Sequence, residues 1–144
     1  CKETRQTFFR PDTNQCFKFM WNQQRSWEAA DAKCKSEGLT LAKPLNAITL
    51  RKYLLARYGG YNYWIAAKGA GTLFKWTVGS NKKMFASNPL WYTDYPGSKV
   101  SSDYCLALAG NPTDAKSHPN QPYTSKLCSE STRYALCELD MGHH

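Results

Sequence analysis

Six cysteines carry the clearest chemistry in this sequence. None of them forms a Cys-x-x-Cys pair, and their even count and wide spacing favour disulfide bonds over a zinc site or a redox dithiol. Disulfides persist in oxidising compartments, so we expect a secreted, extracellular protein. A chain that opens on Cys1 rather than on a signal peptide is also typical of a secreted protein whose leader has been removed. Spacing alone does not choose among the many pairings that six cysteines allow.

Residues suited to catalysis are sparse. His118 is the one histidine that precedes the terminal His143-His144 pair, and a lone histidine in a proline-rich stretch is typical of a solvated side chain. The sequence has no Gly-rich phosphate loop following a strand and no His/Asp/Glu cluster with metal-ligand spacing. We therefore expect no enzyme activity, no catalytic residues and no cofactor.

The chain is basic, with a formal net charge of +8 and 14% aromatic residues. A basic surface attracts polyanions such as sulfated glycans, anionic lipid or an acidic bacterial wall. The lysines and arginines are dispersed, however, and pairs such as Arg51-Lys52 and Lys82-Lys83 are not runs, so an ordinary basic secreted protein is the simpler interpretation. The sequence predicts no specific nucleic-acid site, and no apolar segment approaches the roughly 18–20 residues that span a bilayer.

A short apolar run, Tyr63-Trp64-Ile65-Ala66-Ala67, predicts a strand that is buried on both faces. Two amphipathic helices precede it. Ser26 is the predicted N-cap of the first helix and Gly38 its end, while Asn46 is the predicted N-cap of the second, which runs to about Tyr58.

Arg51 falls inside the apolar stripe of the second helix, and we expect its long side chain to snorkel toward solvent. Short alternating segments elsewhere predict strands at 16–21, 39–42, 74–78, 105–109, 127–128 and 134–138. The segment 110–123 contains three prolines and is expected to be a loop. This order of elements predicts an α+β fold with a single domain over residues 1–140, followed by a tail or tag remnant at 141–144.

The order and spacing of these segments resemble the C-type lectin-like domain over nearly the whole chain. The central Trp64-Ile65-Ala66 stands where the family usually has Trp-Ile-Gly. The other matching segments are Cys16-Phe17-Lys18-Phe19, 26–34, 39–42, Phe74-x-Trp76, 103–108, Leu127-Cys128 and 134–137. The resemblance implies two helices flanking short antiparallel sheets, a long irregular loop region and disulfide bracing, as in the long-form, single-domain soluble lectins of invertebrates.

The resemblance also implies a disulfide pattern. The family pairs the first-helix cysteine with the last cysteine, pairs the two cysteines of the loop half, and adds an N-terminal bridge in its long form. In this sequence those bridges are Cys34–Cys137, Cys105–Cys128 and Cys1–Cys16.

Family members that bind sugar do so through Ca²⁺, which takes roughly six to eight oxygen ligands, largely from carboxylates and side-chain amides. The resemblance places the ligand positions at Tyr95-Pro96-Gly97, at Asp103 and at Tyr123-Thr124-Ser125. Only Asp103 keeps an acidic side chain, so we expect the usual calcium site to be lost. A shifted site that uses Asp94 or Asp114 is the alternative. The proline of the first tripeptide is often cis in the family, and both isomers stay open for Pro96.

The loop half of the chain is rich in aromatic residues with basic neighbours, a combination that stacks on sugar rings or anchors a protein interface. Trp91 and Tyr104 fit either the core or this surface, whereas Tyr92, Tyr95 and Tyr123 are expected at the surface. The predicted ligand-binding loop consists of Tyr92, Tyr95, Pro96, Asp103, Tyr123, Thr124 and Ser125.

Three functions compete at this point. The first is a secreted recognition module of innate-immune type that binds a glycan, a microbial surface or an extracellular protein without the usual calcium chemistry. The second is a structural or matrix protein that uses its positive charge on ice, mineral or an acidic matrix. The third is a regulatory protein-binding subunit that forms a dimer through the long loop.

Overall fold

The structure is a computed structural model that describes residues 1–70, 73–78, 84–85 and 102–139. Within these residues the chain forms nine strands and three helices. The strands are β1 (Thr7–Arg10), β2 (Gln15–Arg25), β3 (Thr40–Leu41), β4 (Asn62–Ala70), β5 (Leu73–Trp76), β6 (Met84–Phe85), β7 (Tyr104–Ala109), β8 (Tyr123–Leu127) and β9 (Arg133–Leu139). The helices are α1 (Trp27–Ser36), α2 (Ala47–Tyr58) and α3 (Pro112–Ser117).

The two predicted helices begin at their predicted caps. The Ser26 hydroxyl accepts the Ala29 N–H at 3.3 Å, and the Asn46 side-chain oxygen accepts the Thr49 N–H at 3.2 Å, so each satisfies an otherwise orphaned donor. Gly38, with a φ of 73°, follows the end of α1, and Gly59, with a φ of 98°, ends α2. These left-handed conformations favour glycine and stop both helices.

The predicted central strand is confirmed. Residues 63–67 of β4 have no solvent exposure, because β4 lies between neighbours inside the sheet. β4 pairs antiparallel with β5 and β7 and parallel with β9, where Tyr63 lies opposite Tyr134 and Trp64 opposite Ala135. The predicted α+β fold is confirmed, and the described sheet is mixed because the β4–β9 pair is parallel while its other pairs are antiparallel.

Side chains of β4 alternate between two halves of the core, as the period of a strand requires. Tyr63, Ile65 and Ala67 point into a cluster with Phe8, Phe17, Phe19, Leu50 and Leu54, so this half contains α2 and the N-terminal hairpin. Trp64 and Ala66 point into the second cluster, which contains Met20, Trp27, Cys34 and Ala135 and includes α1.

The three disulfides implied by the resemblance are confirmed. Cys34–Cys137 joins α1 to β9, Cys105–Cys128 joins β7 to the residue after β8, and Cys1–Cys16 joins the N-terminal segment to β2. Because the first of these closes 103 residues of chain, it should restrict the unfolded state most strongly.

The prediction of a loop over 110–123 is wrong in two places. Residues 112–117 form α3, in which the Asn111 side-chain oxygen accepts the Asp114 N–H at 2.8 Å and Pro112 occupies the first turn. An Asn-Pro pair at a helix start is a recognised signal that would have predicted this helix. The second error is at Tyr123, which begins β8. No helix among the described residues is long and apolar enough to cross a membrane.

Candidate functional site

A polar cleft of about 510 Å³ lies at the start of α1, beside the segments that precede β7 and follow β8. We call it the Asp103 cleft. Asp103 and the serines of these segments are exposed within it. Its lining residues are Ser26, Glu28, Lys68, Ser102, Asp103, Leu127, Cys128, Ser129 and Ser131.

Backbone hydrogen bonds hold the walls of the Asp103 cleft together. The Trp27 N–H donates to the Cys128 carbonyl at 2.9 Å, which ties the first turn of α1 to the end of β8. The Cys128 N–H in turn donates to the Asp103 carbonyl at 2.8 Å, and the Cys105–Cys128 disulfide fixes the same two segments covalently. These bonds keep the exposed side chains on a braced frame, so a ligand would order little backbone on binding.

A solvent-accessible ion pair crosses one wall of the cleft. The Lys68 ammonium lies 3.4 Å from a Glu28 carboxylate oxygen and 5.5 Å from the Trp27 ring centroid. The Glu28 side chain is 76% exposed, so the pair contributes little to stability and either partner can turn toward a ligand hydroxyl. Together with Asp103 and four serine hydroxyls, the wall presents both donors and acceptors.

The predicted surface position of Tyr123 is wrong, and Thr124 and Ser125 of the predicted ligand-binding loop are buried beside it. Their exposures are 2%, 2% and 0%. All three lie in β8, where pairing with β7 carries them into the core. The Tyr123 ring packs edge-on against Trp76, with 6.2 Å between centroids, and burial raises the pKa of the Tyr123 hydroxyl. Pairing with β7 buries them. The sequence predicted a strand only at 127–128, so it did not include these three residues in a strand.

The rest of the predicted ligand-binding loop divides between two parts of the chain. Asp103 is exposed in the cleft, as described above. Tyr92, Tyr95 and Pro96 lie outside the described residues, as does Trp91. Tyr104 is half-buried and packs against the core cluster that contains Phe19.

The structure does not bring Asp103 together with the hydroxyls of β8. Tyr104 lies opposite Leu127, whereas Ser125 lies opposite Leu106 and Thr124 opposite Ala107. At about 3.4 Å per residue, Asp103 is therefore about 10 Å along the ladder from Ser125 and about 14 Å from Thr124. Calcium–oxygen bonds of about 2.3–2.6 Å cannot join groups this far apart.

Asp114 does not complete a site at Asp103 either. It belongs to α3 beyond the far end of β7, where its carboxylate accepts a hydrogen bond from the Asn111 amide. Asp94 lies outside the described residues. Within the described part of the chain, no group of three or more His, Cys, Asp or Glu residues is placed to hold a metal ion.

Residues 23–139 match the family model of the lectin C-type domain. This chain belongs to the C-type lectin domain family. No curated protein matches the sequence at a significant level. Domains of this family are generally non-catalytic binding modules, which agrees with the sparse catalytic chemistry of the sequence.

Several solved structures share the fold at low sequence identity. SPL-1, in a structure described as its GlcNAc complex, superposes with a TM-score of 0.69 at 14% identity, covering 99% of this chain and 98% of that one. The Ca²⁺-independent C-type lectin SPL-2 from Saxidomus purpuratus gives 0.64 at 19% identity, covering 99% of each chain. A calcium-independent type II antifreeze protein gives 0.67 at 16% identity, covering 96% of this chain and 94% of that one.

Sequence reasoning missed most of the cleft in this C-type lectin domain. The sequence pointed to Ser26 only as a helix cap and to Asp103 as a former calcium ligand, and it gave no binding role to Glu28, Lys68, Ser129 or Ser131. The lining comes from separate segments that meet only in the folded chain, so no local pattern marks them.

Proposed function

We propose that this C-type lectin domain is a secreted carbohydrate-recognition module that binds its glycan in the Asp103 cleft without calcium. The observation that carries this proposal is the polar lining of the cleft. Two carboxylates, an ammonium group and four serine hydroxyls face one volume of about 510 Å³. Sugar hydroxyls both donate and accept hydrogen bonds, and such a mixed lining satisfies both.

The proposal that glycan binding needs no calcium rests on the oxygen ligands that the chain offers. At the ligand positions that the family resemblance assigns, β8 offers buried hydroxyls in place of an amide and a carboxylate. Asp103 is separated from them by several residues of strand. A single carboxylate does not hold Ca²⁺ in competition with water. Direct hydrogen bonds are the remaining means of recognition.

Two of the similar structures suggest a first probe. SPL-1 is described in complex with GlcNAc, and SPL-2 is described as Ca²⁺-independent. An N-acetylhexosamine also suits the cleft, because Leu127 is 40% exposed at its rim and offers an apolar surface to an acetyl methyl group. We infer that terminal N-acetylhexosamines on extracellular or microbial glycans are the ligand class. Three disulfides favour the extracellular setting in which innate-immune recognition takes place.

The test is a titration of GlcNAc and GlcNAc oligomers by calorimetry in 5 mM EDTA and again in calcium, supported by a glycan array. We expect the same affinity in both buffers. The variants Lys68→Gln and Asp103→Asn should each weaken binding by roughly tenfold, because each removes a charged partner of a sugar hydroxyl. Lys52→Gln, which removes an exposed lysine of α2 away from the cleft, is the matched control and should bind normally.

Binding that requires calcium would overturn the calcium-free mode. Binding in EDTA that survives both Lys68→Gln and Asp103→Asn would place the ligand elsewhere and overturn the assignment of the cleft.

A further inference from the structure

Arginine side chains and aromatic rings alternate across one face of the domain, on the N-terminal hairpin and α2. In spatial order the members are Trp21, Arg5, Tyr58, Arg57, Tyr53 and Arg10. We call this set the arginine–aromatic row. Its members come from three separate segments, and the chain has no corresponding run of basic residues.

The first half of the row is joined by two contacts. The Arg5 guanidinium lies 4.8 Å from the ring centroid of Trp21, and the Trp21 side chain is itself exposed. The Tyr58 hydroxyl donates to the Arg5 carbonyl at 2.9 Å, which fixes this arginine beside the C-terminal turn of α2. The contacts hold the backbone of Arg5 in place and leave its guanidinium exposed.

Arg57 is the centre of the row. Its Nη1 donates to the Tyr53 hydroxyl at 2.8 Å and its Nη2 donates to the Thr4 carbonyl at 2.6 Å. The guanidinium also lies 5.3 Å from the Tyr58 ring centroid. At the other end of the row, the Arg10 guanidinium lies 4.4 Å from the Tyr53 ring centroid. Rings and hydrogen bonds therefore orient these planar cations before any ligand arrives.

The charge balance of this face is positive. Arg10 forms an ion pair with Asp12 at 3.3 Å, whereas no carboxylate of the described residues forms an ion pair with Arg5 or Arg57. Three other charged side chains of these segments are exposed, namely Lys2, Lys52 and Glu3. The remaining ones are Lys18, which pairs with Glu37, the half-buried Arg25 and the buried Arg51. Glu3 accepts the Phe9 N–H at 3.1 Å, so its carboxylate is turned toward β1.

We infer that the arginine–aromatic row binds a sulfated polysaccharide of the glycosaminoglycan type. Guanidinium groups pair with sulfate and carboxylate oxygens through two parallel N–H donors, and the exposed Trp21 ring offers apolar surface to a pyranose ring. Several cations on one face match a polymer with repeated anionic groups. Disulfides place the domain where sulfated glycans occur, which favours this polymer over nucleic acid.

This site is separate from the Asp103 cleft. The row lies on β2, α2 and the segment 5–10, and the apolar side chains buried beneath β1 and α2 belong to the first core cluster. The cleft begins at α1, whose buried side chains belong to the second. A sulfated polymer and a neutral glycan could therefore occupy the domain together, and loss of one activity does not predict loss of the other.

The experiment measures heparin binding by affinity chromatography on a salt gradient and by surface plasmon resonance. The variant Arg5→Gln/Arg10→Gln/Arg57→Gln should bind roughly tenfold more weakly and elute at lower salt. The control Lys33→Gln/Lys35→Gln/Lys75→Gln removes the same charge from α1 and β5 and should stay within about twofold of the parent. If the triple variant does not fold, the double variant Arg5→Gln/Arg10→Gln replaces it, because it leaves the Arg57 hydrogen bonds in place. Its heparin binding should also be weaker than that of the parent.

Two results would overturn the inference. Equal loss in the row variant and the control would show that net charge alone attracts heparin. Equal competition by duplex DNA of matched charge would show a general polyanion surface rather than a sulfated-glycan site.

Discussion

Arg51 on α2 donates through Nη2 to the carbonyl oxygen of His118, 67 residues further along the chain, at 2.7 Å. The same nitrogen donates to the Pro119 carbonyl at 2.9 Å. Only 2% of this arginine is exposed, so the expected snorkelling toward solvent is wrong. The charge lies inside because it satisfies the carbonyls at the C-terminal end of α3, where a cation is electrostatically favoured.

Replacing Arg51 should therefore loosen the segment 110–122. Arg51→Met keeps the length of the side chain but leaves two carbonyls without their charged donor, and we expect a loss of about 3 kcal/mol in the free energy of unfolding. Lys52→Met, at the neighbouring exposed position, should change it by less than about 0.5 kcal/mol. Urea denaturation measures both, and hydrogen exchange should show faster exchange over 115–121 in Arg51→Met alone. Equal stability of the two variants would contradict this role.

Two of the three disulfides should differ in how much they stabilise the fold. Removing Cys34–Cys137 by a double Cys→Ser change releases a loop of 103 residues and should cost about 4.7 kcal/mol, whereas removing Cys1–Cys16 releases 15 residues and should cost about 3 kcal/mol. The urea midpoints of the two variants show which disulfide contributes more to stability. A larger loss from the N-terminal bridge would show that native-state packing, rather than chain entropy, dominates.

Buried tyrosines should make the fold sensitive to alkali. Burial raises the pKa of Tyr63 and of Tyr123 above the ordinary value near 10. In the unfolded chain both phenols lose their protons above about pH 10 while the folded protein retains them. Stability is thus complete below about pH 10 and falls by about 1.4 kcal/mol per pH unit for each tyrosine above it. Urea midpoints between pH 8 and about pH 11.5 measure the slope.

Tyr63→Phe separates this effect from packing. The Tyr63 hydroxyl has no hydrogen-bond partner among the described residues, so the variant should be as stable as the parent at pH 7. Above about pH 10 the fall of its stability with pH should be shallower than in the parent by about 1.4 kcal/mol per pH unit, the contribution of one tyrosine. An unchanged alkaline slope would show that other groups cause the transition.

Calcium should not stabilise the domain. A site with a dissociation constant of about 50 μM would add about 2.7 kcal/mol at 5 mM calcium, enough to move the melting temperature by several degrees. Because Asp103 stands about 10 Å or more along the ladder from the hydroxyls of β8, we expect a shift below about 1 °C between calcium and EDTA. Differential scanning calorimetry with magnesium as the control measures it, and a calcium-specific rise would disprove the expectation.

The parts of the fold that sequence could predict are those with local causes. Ser26 and Asn46 cap helices by bonds within three residues, and the apolar run at 63–67 marks a strand that must be buried. The disulfide pairing needed the family resemblance, because spacing leaves every pairing open.

The site was predicted less well because its causes are not local. Tyr123 and Ser125 are buried by the register of β7 with β8, which no property of their own residues reveals. Arg5 and Arg57 contact the same tyrosine although 52 positions of sequence separate them, so charge patterning along the chain described them as dispersed.

The ladder between β2 and β9 has a practical consequence. Cys16 lies opposite Leu139 and is bonded to Cys1, while Arg25 and Arg133, at the other end of the ladder, adjoin Ser26 and Ser131 of the Asp103 cleft. Residues 1 and 139 therefore lie close together, about 20 Å from the cleft end of the ladder, because six residues of β9 separate Leu139 from Arg133. A tether attached at either position would therefore hold the domain by the end of the ladder opposite the Asp103 cleft.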